Sequence, residues 1–284
     1  MPRILFPSAT LLLFLLFGPA LDPVDGGRAA AGPHTGGSAV VFVAHDYGFA
    51  GPDRIPAGVT TIQVVNKGED LHHIQLLKLL PGKTPEDFRA ALTADPARLP
   101  NWIKFVGGPN AVLPGSESVA TMNLEEGQYL LTCIIPNKDG VPHMVLGMQK
   151  PLSVKGGKPT LVSEPKAGVT ITLSDFRFTQ SRPIKAGSHT IQVMNHGTMP
   201  HEVVLLKLEP GATAKDVGEA FEPGGSGVPP GKPIGGVVGL ESGGHAFFTA
   251  QFEPGRYGLI CFFPDPVTGK PHFAQGMTSE FTVN

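Results

Sequence analysis

Cysteine is almost absent: two residues in 284, with one Trp and three Tyr. So few cysteines exclude a disulfide-dense scaffold. Charge is also sparse, at 16% of residues with a net charge of -2. No run of Lys and Arg forms a basic stripe, which excludes nucleic acid as a partner, and there is no acidic tail. Beyond the N-terminus no apolar run is long enough to cross the roughly 30 Å hydrocarbon layer of a membrane. What is abundant is Gly (37) and Pro (29), while apolar residues still make up 41%. That balance is not disordered in type; it reads as short strands joined by many turns. The length suits two domains of ordinary size.

The N-terminus has the form of an export signal. Arg3 supplies a small positive region, and Leu11 to Phe17 form an apolar core between Pro7 and Gly18-Pro19. Gly18-Pro19-Ala20 and Ala29-Ala30-Ala31 both offer small-residue cleavage sites. A membrane anchor is the other reading, which the shortness of the apolar run disfavours. No Cys follows the run closely, so no lipoprotein site is expected. Residues 1–31 are read as signal peptide and leader, within a Gly/Pro/Ala-rich stretch that continues to 37. The expectation is a periplasmic or secreted protein without stable membrane insertion.

The chain repeats itself. Thr61-Ile62-Gln63-Val64 returns as Thr190-Ile191-Gln192-Val193, and Leu76-Leu77-Lys78-Leu79 as Leu205-Leu206-Lys207-Leu208. Pro81-Gly82, Gly107-Gly108 and Gly127-x-Tyr129 return as Pro210-Gly211, Gly235-Gly236 and Gly255-x-Tyr257. The offset stays at 128–129 residues. Unit one is assigned to 38–156 and unit two to 168–284, with 157–167 as linker. Within a unit the short apolar and β-branched runs predict strands: Val40–Val43, Thr61–Val65, Ile74–Leu79, Ser118–Met122 and Tyr129–Ile134, then their counterparts Val169–Leu173, Thr190–Met194, Val203–Leu208, Ala246–Ala250 and Tyr257–Phe262. Thr84-Pro85-x-Asp87 and Thr213-x-x-Asp216 predict a capped short helix in each, with Ala90–Leu92 and Ala220–Phe221 as its apolar positions. The fold class is all-β: two tandem Greek-key β-sandwiches, each with one short helix.

Cys133 and Cys261 occupy the same place in the two units. One disulfide is the bland reading for an exported chain. Equivalent positions in separate sandwiches argue against it, because Cα atoms must approach within about 4.4–6.8 Å. Cys133 is followed by His143 and Met148, and Cys261 by His272 and Met277. Upstream, Asn66-x-Gly68-x-x-Leu71-His72 matches Asn195-x-Gly197-x-x-Pro200-His201. Each unit thus holds one thiol, two imidazoles and one thioether in the same order. A thiolate and two imidazoles in a plane with a weak axial thioether is the ligand set of blue copper. Zinc has no use for the thioether.

On these residues the chain resembles the cupredoxin family, of plastocyanin, azurin, rusticyanin and sulfocyanin type. The Asn-x-Gly-x-x-Pro-His loop is similar to the family's first-ligand loop, with Leu71 replacing the Pro in unit one. Gly-x-Tyr-x-x-x-Cys and the closing His-x-x-x-Gly-Met are similar to its last ligand segments. The resemblance implies cupredoxin-like sandwiches and one type 1 copper per unit, held by His72, Cys133, His143 and Met148 and by His201, Cys261, His272 and Met277. The stretches Asn137–Pro142 and Asp265–Pro271 make the Cys-to-His loops longer than in small carriers, which leaves surface shape and potential open. His73, beside His72, aligns with Glu202. These two either steady the ligand loop or are solvated, and the second reading is preferred. His34, His45, His189, His196 and His245 are expected at the surface or in loops. Tyr129 and Tyr257 are expected to tie strand to loop.

A site whose strong positions are all filled by protein moves electrons and leaves no place for substrate. The family's copper enzymes put a His beside the type 1 Cys, and oxidases add His-x-His pairs. Here the neighbours are Thr132 and Ile134, and Ile260 and Phe262, and no His-x-His occurs. The expectation is an electron carrier with a redox partner protein, and not an oxidase or nitrite reductase. Copper storage, delivery or resistance, and a structural module with unloaded sites, stay open, as does the oligomeric state. The apolar neighbours of His143 (Pro142, Met144, Val145) and His272 (Pro271, Phe273, Ala274) either surround an exposed imidazole edge or pack beneath the loop.

Overall fold

Alternation decides which face of each strand is buried. In Gly58–Asn66 (sequence GVTTIQVVN) Ile62, Val64 and Asn66 point inward while the residues between them are half-buried. The structure, a computed structural model, describes residues 39–96, 98–156, 163–222, 225 and 228–284. The expected signal peptide and leader, His34, and linker residues 157–162 lie outside the described residues.

The first half runs β1 (Val40–His45), β2 (Gly48–Ala50), β3 (Arg54–Ile55), β4 (Gly58–Asn66), β5 (Gln75–Leu79), α1 (Pro85–Ala94), β6 (Ile103–Phe105), β7 (Glu117–Leu124), β8 (Gly127–Thr132) and β9 (Gln149–Val154). The second runs β10 (Val169–Ser174), β11 (Arg177–Gln180), β12 (Gly187–Asn195), β13 (His201–Leu208), α2 (Ala214–Ala220), β14 (Gly231–Leu240), β15 (His245–Phe252), β16 (Gly255–Ile260) and β17 (Thr278–Val283). The fold is all-β, with one short helix in each half. Strands β2-β1-β4-β7 face the sheet β3-β9-β8-β5-β6, and β11-β10-β12-β15 face β14-β13-β16-β17. The halves repeat in register as well as order. Val40 pairs with Ile62 in the parallel β1–β4 ladder, and Val169 with Ile191 in β10–β12.

Both helices carry the capping boxes expected at Thr84 and Thr213. Of the expected apolar positions Leu92 and Ala220 are buried, while Ala90 is exposed. Phe88 and Leu92 anchor α1. Val217 and Ala220 anchor α2, whereas Phe221 is its exposed C-cap. The tyrosine hydroxyls tie strand to loop as expected: Tyr129 donates to Glu125 O at 2.8 Å and Tyr257 to Glu253 O at 2.9 Å.

The two sandwiches are fused. Strands β7 and β15 pair through Ala120↔Phe248 and Thr121↔Phe247, joining eight strands into one sheet. A second seam pairs Val106↔Leu240, Pro109↔Val237 and Val112↔Ile234. At the 128-residue offset Val106 corresponds to Ile234, Val112 to Leu240 and Pro109 to Val237. Exchanging the halves therefore maps the first bridge onto the third and leaves the middle one in place. The molecule has a pseudo-two-fold axis through Pro109/Val237 and Ala120/Phe248, an isologous contact within one chain. The hydrogen bonds obey it: Asn110 N donates to Gly236 O at 3.2 Å and Val238 N to Gly108 O at 3.1 Å.

The repeated Gly-Gly pairs make this seam possible. A Cβ on Gly108 would stand 2.1 Å from Ile74 O, and one on Gly236 2.0 Å from Val203 O, and both residues have positive φ (138° and 118°). Backbone atoms cannot yield as a flexible side chain can. We expect Gly108→Ala and Gly236→Ala each to destabilise the protein by about 3 kcal/mol, read as a lowered urea midpoint. A midpoint within error of the parent would contradict this account of the seam.

Candidate metal centres

Each first-ligand loop is organised by its asparagine. Asn66 is buried at the end of β4; its amide donates to Asp70 O (2.8 Å) and Val112 O (3.0 Å), and its carbonyl accepts from Gly68 N (2.9 Å). Asn195 does the same with Met199 O, Leu240 O and Gly197 N. The glycine that follows is needed for room. A Cβ on Gly68 would lie 2.5 Å from His72 Nε2, and one on Gly197 2.7 Å from His201 Nε2.

Those imidazoles are gripped by carboxylates that the sequence reading did not single out. Asp46, in the β1–β2 turn, lies 2.9 Å from His72 Nε2, and Asp175, in the β10–β11 turn, 2.9 Å from His201 Nε2. Burial alone would raise both carboxyls, but hydrogen bonds hold them below their ordinary value. For Asp46 these come from Glu69 N, His72 and Asp70 N, and for Asp175 from His201 and Thr198. An ionised carboxylate accepts only, so Nε2 carries the hydrogen and the Nδ1 lone pair faces inward. The signal was present in the chain: Asp46-Tyr47-x-Phe49 recurs as Asp175-Phe176-x-Phe178 at an offset of 129.

Inward is where the cysteines are. Cys133 Sγ lies 3.6 Å from His143 Nδ1 and 4.0 Å from His72 Nδ1. Cys261 Sγ lies 3.5 Å from His272 Nδ1, which is 2.9 Å from His201 Nδ1. In each group one atom from each of the three residues lies within 4.8 Å of the others, and all six residues are buried. Both cysteines are free thiols, not a disulfide. The sulfurs accept backbone hydrogen bonds, Cys133 from His73 and Ile135 and Cys261 from Glu202 and Phe263.

Met148 and Met277 are fully buried and are tied to the same loops. Cys133 N donates to Met148 O at 3.3 Å and Met148 N to His143 O at 2.9 Å. The second half repeats both bonds, Cys261 N to Met277 O and Met277 N to His272 O. The extra loop residues close on themselves. Asn137 Oδ1 accepts from Asp139 N and Val141 N, and Asp265 Oδ1 from Val267 N and Thr268 N.

One expectation is corrected. His73 and Glu202 are buried rather than solvated: Ile134 N donates to His73 Nε2 at 2.9 Å and Phe262 N to Glu202 Oε1 at 3.0 Å. They brace the residue after each cysteine. Of the two readings left open for the neighbours of His143 and His272, Met144 and Phe273 take the second: they pack beneath the loop, and both imidazoles are buried. Tyr47 covers His143 and Phe176 covers His272, each edge-on at 5.3 Å. Both covers adopt left-handed backbone (φ 65° and 62°), a strain that surrounding structure must sustain. His45, His189, His196 and His245 are exposed or half-buried and join neither group.

Burial sets the protonation. It pushes the Cys133 thiol up to about 12 and Cys261 well above its ordinary value. It lowers His143 and His201, and with His201 nearby brings His272 down to about 4. Two Nδ1 atoms 2.9 Å apart cannot both present bare lone pairs unless a proton or cation lies between them. His272 Nε2 and His143 Nε2, moreover, have no hydrogen-bond partner. A borderline-to-soft metal ion bound at the Nδ1 atoms satisfies the first observation, since it takes two imidazole nitrogens and a thiolate together.

No protein-family model matches the chain, and no curated protein matches it. Among solved structures it is similar to dithionite-reduced auracyanin from Roseiflexus castenholzii at 18% identity, covering 42% of this chain and 100% of that one (TM-score 0.30). Auracyanin A, a "blue" copper protein from Chloroflexus aurantiacus, matches at 23% identity over 42% and 100% (TM-score 0.28). The copper-containing nitrite reductase of Thermus scotoductus matches at 12% identity over 86% and 61% (TM-score 0.25).

Asp46→Ala and Asp175→Ala free the imidazole tautomer, so metal affinity at the altered site should fall about 10–100-fold, measured by chelator competition. Unchanged affinity would remove the carboxylates from the site. A second outcome follows from the raised thiol and lowered imidazoles of the second group. At pH 7 its thiol is protonated and its imidazoles neutral, so Co(II) binding should release one proton per ion. Calorimetry of the Cys133→Ser protein in two buffers of different ionisation enthalpy counts it; zero or two protons would contradict the assignment.

Proposed function

We propose that the chain is an exported type 1 copper protein that carries electrons, with one mononuclear copper in each half. The observation that carries the reading is the twofold occurrence of a buried Cys-His-His group whose first imidazole is held in one tautomer by a carboxylate. In this reading His72, Cys133 and His143 supply the strong ligands of one site with Met148 as axial thioether. His201, Cys261, His272 and Met277 do the same in the other. Copper supplies a one-electron Cu(II)/Cu(I) couple. The residues supply a frame that stays the same in both states: N–H bonds on the sulfur, a fixed tautomer, and a ligand loop tied back onto its cysteine. Thioethers in both sites favour copper over zinc.

Complete burial of the ligands leaves no position for a substrate and opposes rapid exchange of metal with a delivery partner. No histidine adjoins either cysteine, which removes the usual ligand of a second, catalytic copper. These two points support carrier over oxidase, nitrite reductase or copper chaperone. Beside His143 the side chains of Tyr47, Val145 and Leu146 are exposed by 37–40%. Such a small apolar patch suits the brief contacts of a redox partner protein. Export rests on the apolar N-terminal run with its small-residue cleavage sites. No helix among the described residues is long and apolar enough to cross a membrane.

The copper-loaded protein should show an intense thiolate-to-Cu(II) band that bleaches reversibly on reduction, at two coppers per chain. Cys133→Ser and Cys261→Ser should each remove about half of it, the share of one site in two. A band that survives both single changes undiminished would sink the ligand assignment; Cu(I) binding with no band would favour copper handling instead.

A further inference from the structure

The pseudo-two-fold axis brings together more than strands. His73 and Glu202 are equivalents at an offset of 129. Each is buried, and each accepts a hydrogen bond from the amide that follows a cysteine. Between them stands Asn110, from the β6–β7 connection, 1% exposed. Its amide donates to Glu202 Oε2 at 3.2 Å, to Val203 O at 3.0 Å and to Val237 O at 3.2 Å, all in the other half. Its side chain also hydrogen-bonds with His73 of its own half. Asn110 lies next to the axis, and its counterpart at the 128-residue offset is Val238. One asymmetric amide at the axis therefore touches the bracing residue of both cysteines.

An apolar residue fits this seam, as Val238 shows by being fully buried there. Burying an imidazole, an amide and a carboxyl together instead is costly unless every one is bonded. Here the bonds form one chain. It runs from Cys133 through Ile134 N–H to His73, then Asn110, then Glu202, and through Phe262 N–H to Cys261. Electronic coupling falls less steeply along covalent and hydrogen-bonded contacts than across van der Waals gaps.

We propose that the two metal centres exchange electrons within one molecule through the His73–Asn110–Glu202 bridge, which makes the protein a two-electron relay instead of two separate carriers. The inference rests on the copper reading above. In one step the centre at Cys261 is oxidised by one electron and the centre at Cys133 reduced by one, or the reverse. No bond is made or broken and no proton moves. Asn110 touches neither centre and acts as a positioning residue.

The test uses the full copper-loaded chain carrying Met148→Leu, which moves the potential of the first site away from the second and gives transfer a direction. After pulse reduction with a one-electron radical reductant, the bleach should migrate between the two bands in a phase independent of protein concentration. Adding Asn110→Ala should slow that phase about tenfold while both bands persist. Should that protein fail to fold, Glu202→Gln, which replaces one accepting oxygen with an amide, must slow it likewise. A metal-free readout accompanies it: hydrogen exchange at the Ile134 and Phe262 amides should quicken together in Asn110→Ala, one in each half. An unchanged rate with both bands present, the absence of any concentration-independent phase, or quickening at only one amide overturns the bridge. Absence of the bands themselves overturns the copper reading.

Discussion

The approach of two backbones at the Gly-Gly pairs is the constraint on which the molecule depends. Only residues without Cβ let segment 107–108 pass so near Ile74 O, and segment 235–236 so near Val203 O. That proximity lets the equivalent segments 106–112 and 234–240 bridge each other across the pseudo-two-fold axis. The backbone so packed, at Ile74 just before β5 and at Val203 in β13, lies two residues beyond His72 and His201. The seam that holds the halves together is thus continuous with the loops that hold the imidazoles. Val112 shows the link directly: it bridges His72 on one side and Ile234 on the other, and its carbonyl also accepts from Asn66. Apolar packing follows the same continuity, because buried residues of both halves form one core, with Phe105 of the first half meeting Phe263 of the second at 4.9 Å.

Within each half the chemistry depends on neutral, desolvated donors that are already aimed. Thiols and imidazoles are tolerable in an apolar interior where burial disfavours their charged forms, as it does for both cysteines and for His143, His201 and His272. The carboxylate that fixes each first imidazole stays partly in water, at the turn before β2 or β11. The charge needed to select the tautomer is therefore kept at the surface, where its hydration costs little. What reaches the interior is only the direction of a lone pair.

Much of this was legible in the chain. Repetition at 128–129 residues set the halves, alternation set the strands, and the matched spacings of Cys and His named the residues that the structure gathers into two groups. The misses have a common cause. Strand periodicity says which way a side chain points but not what covers it, and the covering element here belongs to the other half or to another loop. His73 and Glu202 look like solvent-facing neighbours of a ligand until Asn110 and the residues after the cysteines close over them. Whether the imidazole edges are exposed stays open until Tyr47 and Phe176 are placed on them. The β7–β15 pairing left no mark in composition, since an edge strand that will be paired reads like one that will not. Asp46 and Asp175 were a different failure. Their motif repeats as plainly as the Cys and His spacings do, but a carboxylate 26 residues before an imidazole has no local pattern to announce it.

Where the halves differ is as informative as where they agree. Asn66 and Asn195, Gly68 and Gly197, Asp46 and Asp175, and the Cys, His and Met residues of the two groups are paired without change. Among the differences, two sets lie against the Cys-His-His groups or their braces. At the axis the pairs are Asn110 against Val238 and His73 against Glu202; over the imidazoles the pair is Tyr47 against Phe176. At the axis the two copies face each other, and a self-complementary contact would place like beside like. Two facing glutamates would put two carboxyls in one dry seam, and two facing histidines would leave the Asn110 amide only the Val203 and Val237 carbonyls as acceptors. A neutral imidazole on one side and a carboxyl on the other, with an amide that both donates and accepts between them, satisfies the seam with a single asymmetric residue. The same asymmetry removes the equivalence of the two sites, because Cys261 has a carboxyl in its brace where Cys133 has an imidazole. Duplication supplied two like centres, and the physical demand for a bonded interior at the axis made them unlike.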